Sequence, residues 1–277
     1  MQMWGRKKWN VVGAFSLLAV LSVLSAGCGD DDSAHHQTLR ILVTNDDGYA
    51  AEGIDAIVAA LVADPDNEVI VSAPSGNRSG SSDLTGPSER CGDLSVTQAT
   101  TRSGYPATSI NGCPADAVNY ALANIYPPGS GPHLVISGIN EGQNISQPVA
   151  TRLSGTVGAA RTAARQGVPA LAASQGIPHL DTTYDYPSGV DAVLSWLADN
   201  RAALVEGTIV AGVDNINVPS CAAGTSIRGT LVDIPLAPNA VGVLDTQDCA
   251  STLENPTTDV EGFRNGYITL SRVPLQN

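Results

Sequence analysis

The stretch Leu39-Arg-Ile-Leu-Val-Thr-Asn-Asp-Asp-Gly-Tyr49 decides the fold. Its first six residues form a near-continuous apolar run, and the rest are turn formers and acids. A strand that is apolar on both sides has both sides buried, which is the habit of parallel sheets with helices on each face. Downstream, Ile54–Ala63 carries apolar residues at helical spacing, and Glu68–Ala73 (EVIVSA) is a second apolar run. Strand, helix and strand within about 35 residues make a βαβ unit.

The same texture continues. His133–Ser137 (HLVIS) and Ala170–Ser174 (ALAAS) read as further strands, with a small-residue helix, Val157–Arg165, between them. Asp116–Ile125 and Val190–Asn200 read as helices. Beyond about Val210 the pattern changes to short β-like pieces with Pro and Gly: Asn215–Pro219, Leu231–Pro235 and Tyr267–Val273. The expectation is an α/β fold with a mostly parallel sheet, its core in residues 39–200, and a less regular β-rich C-terminal part in 201–277 belonging to the same domain.

Composition agrees with a packed domain: of 277 residues, 43% are apolar and 15% charged, which excludes general disorder. The 14 Lys+Arg face 27 Asp+Glu, and both lysines, Lys7 and Lys8, lie in the first ten residues beside Arg6. Without residues 1–27, 11 arginines face 27 acids, a formal −16, and no lysine is left. A P-loop and a lysine Schiff base are thereby excluded from that part of the chain. So acidic a surface repels long nucleic acids and anionic lipid headgroups. A phosphorylated substrate would be small, its charge met by a metal, by arginine or by backbone N–H groups.

Residues 1–27 read as an export signal. Arg6-Lys7-Lys8 precedes the apolar run Val11–Leu24, which is short of the about 20 residues that span a bilayer, and small residues follow at Ser25-Ala26-Gly27. Leu24-Ser-Ala-Gly-Cys28 resembles a bacterial lipobox, in which the cysteine becomes the lipidated first residue. Residues 28–38 then read as a polar tether. On this reading the protein is exported to the bacterial cell envelope, periplasmic or anchored through lipid on Cys28, which is its sole membrane contact. The remaining Cys91, Cys113, Cys221 and Cys249 are an even number in an oxidising compartment, and sequence proximity favours Cys91–Cys113 and Cys221–Cys249.

In open α/β sheets ligands bind beyond the carboxyl ends of the strands. The first strand runs into Asn45-Asp46-Asp47-Gly48. Such residues also favour plain turns, but two adjacent carboxylates repel each other, and a hard divalent cation would relieve them. The second strand ends in Ala73-Pro-Ser-Gly-Asn-Arg-Ser-Gly-Ser-Ser82, either a flexible loop or a phosphate cradle with Arg78 aimed at an anion. The third ends in Ser137-Gly-Ile-Asn-Glu-Gly-Gln-Asn144, where Asn140 and Asn144 add donors and acceptors without charge. Leu153-Ser-Gly-Thr-Val157 opens a helix, and Ser154 and Thr156 suit an N-cap, a phosphate site, or both.

These four segments, in this order and at strand ends, resemble the SurE (survival protein E) family of metal-dependent 5′/3′-nucleotidases. The resemblance covers Leu39 to about Ser174 and, more weakly, Asn215–Pro219 and Gly266–Leu270. It implies a Rossmann-like three-layer α/β/α fold, a Mg²⁺ or Mn²⁺ ion, and hydrolysis of nucleoside monophosphates. Carried over residue by residue, the metal ligands fall on Asp46, Asp47, Ser79 and Asn140. The phosphate-binding groups fall on Gly80, Asn144, Ser154, Gly155 and Thr156, and Asp46, Asp47, Asn140 and Asn144 form the catalytic set.

The chain departs from the family pattern at two places. Ser75-Gly76 replaces an acidic-basic pair, and the stretch between Pro219 and Gly266 is short. In the family the latter region carries oligomer contacts, so a homo-oligomer and the preferred nucleotide both stay open. A Ser-His-Asp hydrolase is the enzymatic rival, but GxSxG is missing and only His133 and His179 lie outside the tether. The other alternative is a surface-anchored nucleotide- or phosphate-binding protein that has lost turnover.

Overall fold

The computed structural model describes residues 37–179 and 182–276. The expected export signal (residues 1–27), Cys28 and most of the expected tether lie outside the described residues. Nine strands form one sheet: β1 (Leu39–Thr44), β2 (Asn67–Pro74), β3 (Val96–Thr100), β4 (Pro106–Ile110), β5 (Leu134–Glu141), β6 (Ala170–Gln175), β7 (Val213–Val218), β8 (Gly229–Val232) and β9 (Tyr267–Val273). Their spatial order is β3-β4-β2-β1-β5-β6-β7-β9-β8. All neighbours run parallel except β3–β4 and β7–β9, so the fold is α/β with a mostly parallel sheet.

Among the described residues six helices accompany it: α1 (Glu52–Val62), α2 (Pro114–Asn124), α3 (Gln147–Arg152), α4 (Gly155–Arg165), α5 (Tyr186–Val205) and α6 (Asp259–Arg264). The alternation of β1 shows the layering. Leu39, Ile41 and Val43 pack with Ile54, Ile57 and Leu61 of α1 and with Val193, Trp196 and Leu197 of α5. Leu42, on the opposite face, packs with Val118 and Ala121 of α2 and Val157, Ala160 and Ala163 of α4. The apolar run at 39–44 is continuous because both faces are covered.

Helix α4 needs its small residues. A Cβ on Gly158 would lie 2.0 Å from the Ser82 carbonyl oxygen, so only glycine allows the helix to lie against the loop after β2. Arg161, in the middle of α4, is fully buried and donates to the carbonyls of Thr151 (2.6 Å) and Leu275 (3.1 Å).

Several elements differ from the sequence expectation. The helix expected at Val190–Asn200 is the longer α5, because Pro187 is compatible with a first turn and Asp185 caps it by accepting from the Ser188 N–H. The strand expected at Leu231–Pro235 ends at Val232, where Asp233 turns to a φ of +56°. The C-terminal part, expected to be less regular, is built into the sheet: β7 pairs with β6, and β9 and β8 complete it. Both disulfides join the expected partners, Cys91 to Cys113 and Cys221 to Cys249.

Candidate active site

Four segments meet at the carboxyl ends of the central strands. β1 passes into a turn fixed by the buried Asn45, whose amide donates to the Gly48 carbonyl (3.0 Å) while its Oδ1 accepts from the Gly48 N–H (3.1 Å). Gly48 has a φ of +108°, and a Cβ there would lie 2.9 Å from the Gly76 Cα. The turn is therefore closed against the loop after β2 and presents Asp46 and Asp47 side by side.

Asp46 is 3% exposed. Its Oδ1 accepts from Thr156 Oγ1 at 2.6 Å, in the first turn of α4, and its backbone carbonyl accepts from the Arg78 N–H at 2.6 Å. A Cβ on Gly155 would lie 2.9 Å from both Asp46 Cβ and Oδ2, so the carboxylate is seated against the bare backbone of the helix start. Asp47 is half-buried. Its Oδ2 accepts from the Glu141 N–H (3.1 Å), and its Oδ1 from Asn77 Nδ2 (3.2 Å).

Burial raises the Asp46 carboxyl above the ordinary range, against the opposing pull of Thr156 and the Gly155 backbone. Asp47 is pushed up to about 7, by burial first, then by the charges of Asp46 and Glu141. Among the described residues no arginine pairs with either carboxylate. Two neighbouring acids thus share a desolvated strand end with no cation from the protein.

Asn140 and Asn144 come from the end of β5 and the loop after it. A register shift between Ser137 and Asn140 accompanies Gly138, where a Cβ would lie 2.3 Å from the Ala173 carbonyl. Asn140 donates to the Gly142 carbonyl at 2.6 Å, and no protein group among the described residues donates to its Oδ1. Asn144 is held from two sides: its Nδ2 donates to Ser174 Oγ (2.9 Å), and its backbone N–H donates to Asn217 Oδ1 (2.6 Å). Ser154 is the N-cap of α4, its Oγ accepting from the Val157 N–H at 3.0 Å. Ser79 and Gly80 are exposed at the loop after β2, and the Ser79 hydroxyl has no hydrogen-bond partner among the described residues.

The donor set suits a hard divalent cation. Two carboxylates, a free serine hydroxyl and a free amide oxygen are oxygen ligands of the kind Mg²⁺ and Mn²⁺ take, and the uncompensated acids supply the reason to bind one.

The structure reassigns some partners. Thr156, singled out for phosphate, spends its hydroxyl on Asp46. Arg78, singled out to face an anion, turns away: its NH2 donates to Asn111 Oδ1 at 2.7 Å, and Asn111 in turn donates to Asp93 (2.8 Å). Sequence reading passed over Asn77 and Glu141, which hold Asp47, and Ser174 and Asn217, which hold Asn144. It also passed over Ser81, whose buried hydroxyl has no hydrogen-bond partner among the described residues and would lie 2.7 Å from a Cβ on Gly155. Asn77 and Ser81 lie within the polar loop already quoted; Asn217 carries no local signal.

Comparison with known proteins shows the family and the fold. The family model described as survival protein SurE matches residues 41–233. A protein of Treponema pallidum named 5′-nucleotidase SurE is 43% identical over 132 residues, which are 47% of this chain and 65% of that protein. One of the same name from Methanothrix thermoacetophila is 38% identical over 188 residues, 65% of this chain and 67% of that protein. The chain therefore spans about two thirds of the length of these relatives. The crystal structure of SurE protein from Aquifex aeolicus superposes with a TM-score of 0.65 at 24% identity, covering 85% of this chain and 93% of that one, which shows the shared fold.

Proposed function

Because the chain belongs to the survival protein SurE family, we propose that it is a divalent-metal-dependent phosphomonoesterase that hydrolyses nucleoside 5′- and 3′-monophosphates to nucleoside and phosphate. The observation that carries this reading is the adjacent pair of buried Asp46 and half-buried Asp47, left without a protein cation among the described residues at the end of β1. Relatives named 5′-nucleotidase supply the substrate class.

In this reading Asp46, Asp47, Ser79 and Asn140 hold the cation. When bound, such an ion acts as a Lewis acid toward a phosphoryl oxygen and lowers the pKa of water. The chain's own groups do the rest. Thr156 fixes the orientation of Asp46, and the Glu141 N–H with Asn77 fixes that of Asp47. Asn144 has one amide proton engaged by Ser174, which leaves the other for a phosphoryl oxygen. Gly80, Ser154 and Gly155 line the same strand ends, where a phosphoryl group meets uncharged donors rather than further acids. Water supplies the oxygen of the new P–O bond, the ester P–O bond breaks, and the nucleoside leaves as an alcohol.

The compartment belongs to the same proposal: residues 1–27 direct export, and Cys28 carries the lipid. Two disulfides in the folded domain support an oxidising environment. Among the described residues no helix is long and apolar enough to cross a membrane.

Phosphate release from an aryl phosphate, with and without added Mn²⁺, tests the reading. Metal-dependent release is expected. Binding of nucleoside monophosphate without any release would instead identify a binding protein that has lost turnover.

A further inference from the structure

Arg78 lies next to the candidate ligand Ser79 in sequence, but Arg90 lies next to it in space. Arg90 NH1 donates to the Ser79 carbonyl at 3.2 Å, and the same nitrogen would lie 3.3 Å from a Cβ on Gly80. The guanidinium thus sits over the Ser79–Gly80 backbone. Arg90 is exposed, has no carboxylate partner among the described residues, and uses only one of its five N–H donors in a hydrogen bond. A guanidinium with free donors is a fork for a phosphate oxygen pair. After residue 27 the chain has no lysine, so arginine is its only fixed cation.

What holds Arg90 there is the covalent link one residue on. Cys91 and Cys113 are fully buried and disulfide-bonded, tying the loop to the N-terminus of α2. Ser88 and Gly92 exchange two backbone hydrogen bonds (3.0 and 2.7 Å), and Ser88 Oγ accepts from the Cys91 N–H (3.0 Å). Gly92 is pressed against Asn111, with its Cβ position 2.6 Å from the Asn111 carbonyl. On the approach to this turn, the Gly86 N–H donates to Asp116 Oδ1 (2.8 Å), while Asp116 Oδ2 accepts from the Cys113 N–H (2.9 Å).

We propose that Arg90 is an anion-binding residue of the active site, that its ligand is the phosphate dianion of substrate and product, and that the Cys91–Cys113 disulfide positions it. The identity of the anion rests on the phosphomonoesterase reading above. The placement of Arg90 does not. Reduction by a dithiol would break the S–S bond, form two thiols and oxidise the dithiol to its own disulfide; the loop would then be free to carry Arg90 away from Ser79.

Titration of the full protein with inorganic phosphate in the presence of Mg²⁺, followed by calorimetry, tests this directly. Losing one charge-assisted hydrogen bond should make Arg90→Gln bind phosphate about tenfold more weakly, with Arg90→Lys in between. The melting temperature should not move, because the side chain is exposed. Reduction of the wild-type protein with dithiothreitol should give the same weakening, and reduction of Arg90→Gln should add nothing. Wild-type phosphate affinity in Arg90→Gln would overturn the proposal, and equal weakening of both proteins on reduction would overturn the role of the disulfide. A wild-type protein that binds phosphate through Arg90 but releases none from any phosphomonoester would refute the proposed function and leave Arg90 in place.

Discussion

Thr156 Oγ1 donates a 2.6 Å hydrogen bond to Asp46 Oδ1 across 110 residues of sequence. It joins the end of β1 to the first turn of α4, so the orientation of the candidate metal ligand depends on where the helix sits. Thr156→Val keeps the shape of a fully buried side chain and removes the donor. A hydrogen bond to a charged group contributes about 1.5–3 kcal/mol, so Mn²⁺ should bind roughly tenfold more weakly or worse. Thr156→Ser should recover most of the affinity. Calorimetric titration of both variants checks it, and unchanged affinity in Thr156→Val would remove Thr156 from the account.

Gly155→Ala reverses the usual sign of helix propensity. Alanine in a helix is favoured over glycine by about 1 kcal/mol, yet here its methyl would lie 2.7 Å from Ser81 Oγ and 2.9 Å from Asp46 Oδ2. The expected outcome is a lower melting temperature and weaker metal binding, since the carboxylate must move. A more stable Gly155→Ala protein with full metal affinity would show that the carboxylate is not seated on the helix start.

Asp83 links the loop after β2 to α4, through Arg165 NH1 (2.7 Å) and the buried Arg161 NH1 (3.5 Å). Burial pushes its carboxyl up, but the Arg165 hydrogen bond and both arginine charges outweigh that and hold it below the ordinary range. A carboxyl depressed in the folded state stabilises above its unfolded value, near 3.9, and loses that contribution as pH falls through the folded value. Asp83→Asn should therefore cost about 1–3 kcal/mol at pH 7 and progressively less as pH falls below the ordinary carboxylate range. Thermal melts at several pH values check it, and an equal cost at both ends would assign the effect to packing.

The fold was legible where the two faces of a strand are covered. Leu39–Thr44 and Glu68–Ala73 announce themselves because helices bury both sides. The hairpin of β3 and β4 does not: Val96–Thr100 is an edge strand with exposed residues, and Pro106–Ile110 contains proline and small polar side chains. The short helix α3 hides behind Pro148 in the same way. At the site, strand ends and local motifs pointed to Asp46, Asp47, Asn140 and Asn144. The partners that aim them come from elsewhere in the chain, as with Asn217 on Asn144. Chain adjacency pointed to Arg78, whereas a disulfide delivers Arg90.

Export and anchoring are tested in cells. Cys28→Ser should abolish lipidation and shift the protein from the membrane fraction to a soluble one. A variant that stays in the membrane fraction with residues 1–27 still attached would show that the segment is an uncleaved anchor instead.

The central claim is that Asp46 and Asp47 hold a divalent cation on which phosphoester hydrolysis depends. The most direct measurement is the rate of phosphate release from a nucleoside 5′-monophosphate by metal-stripped protein, before and after Mn²⁺ is restored, beside Asp46→Asn treated the same way. The account predicts no release without metal, recovery on its return, and no recovery in Asp46→Asn at a melting temperature close to wild type. Release at the full rate by the stripped protein, or by Asp46→Asn, would contradict it.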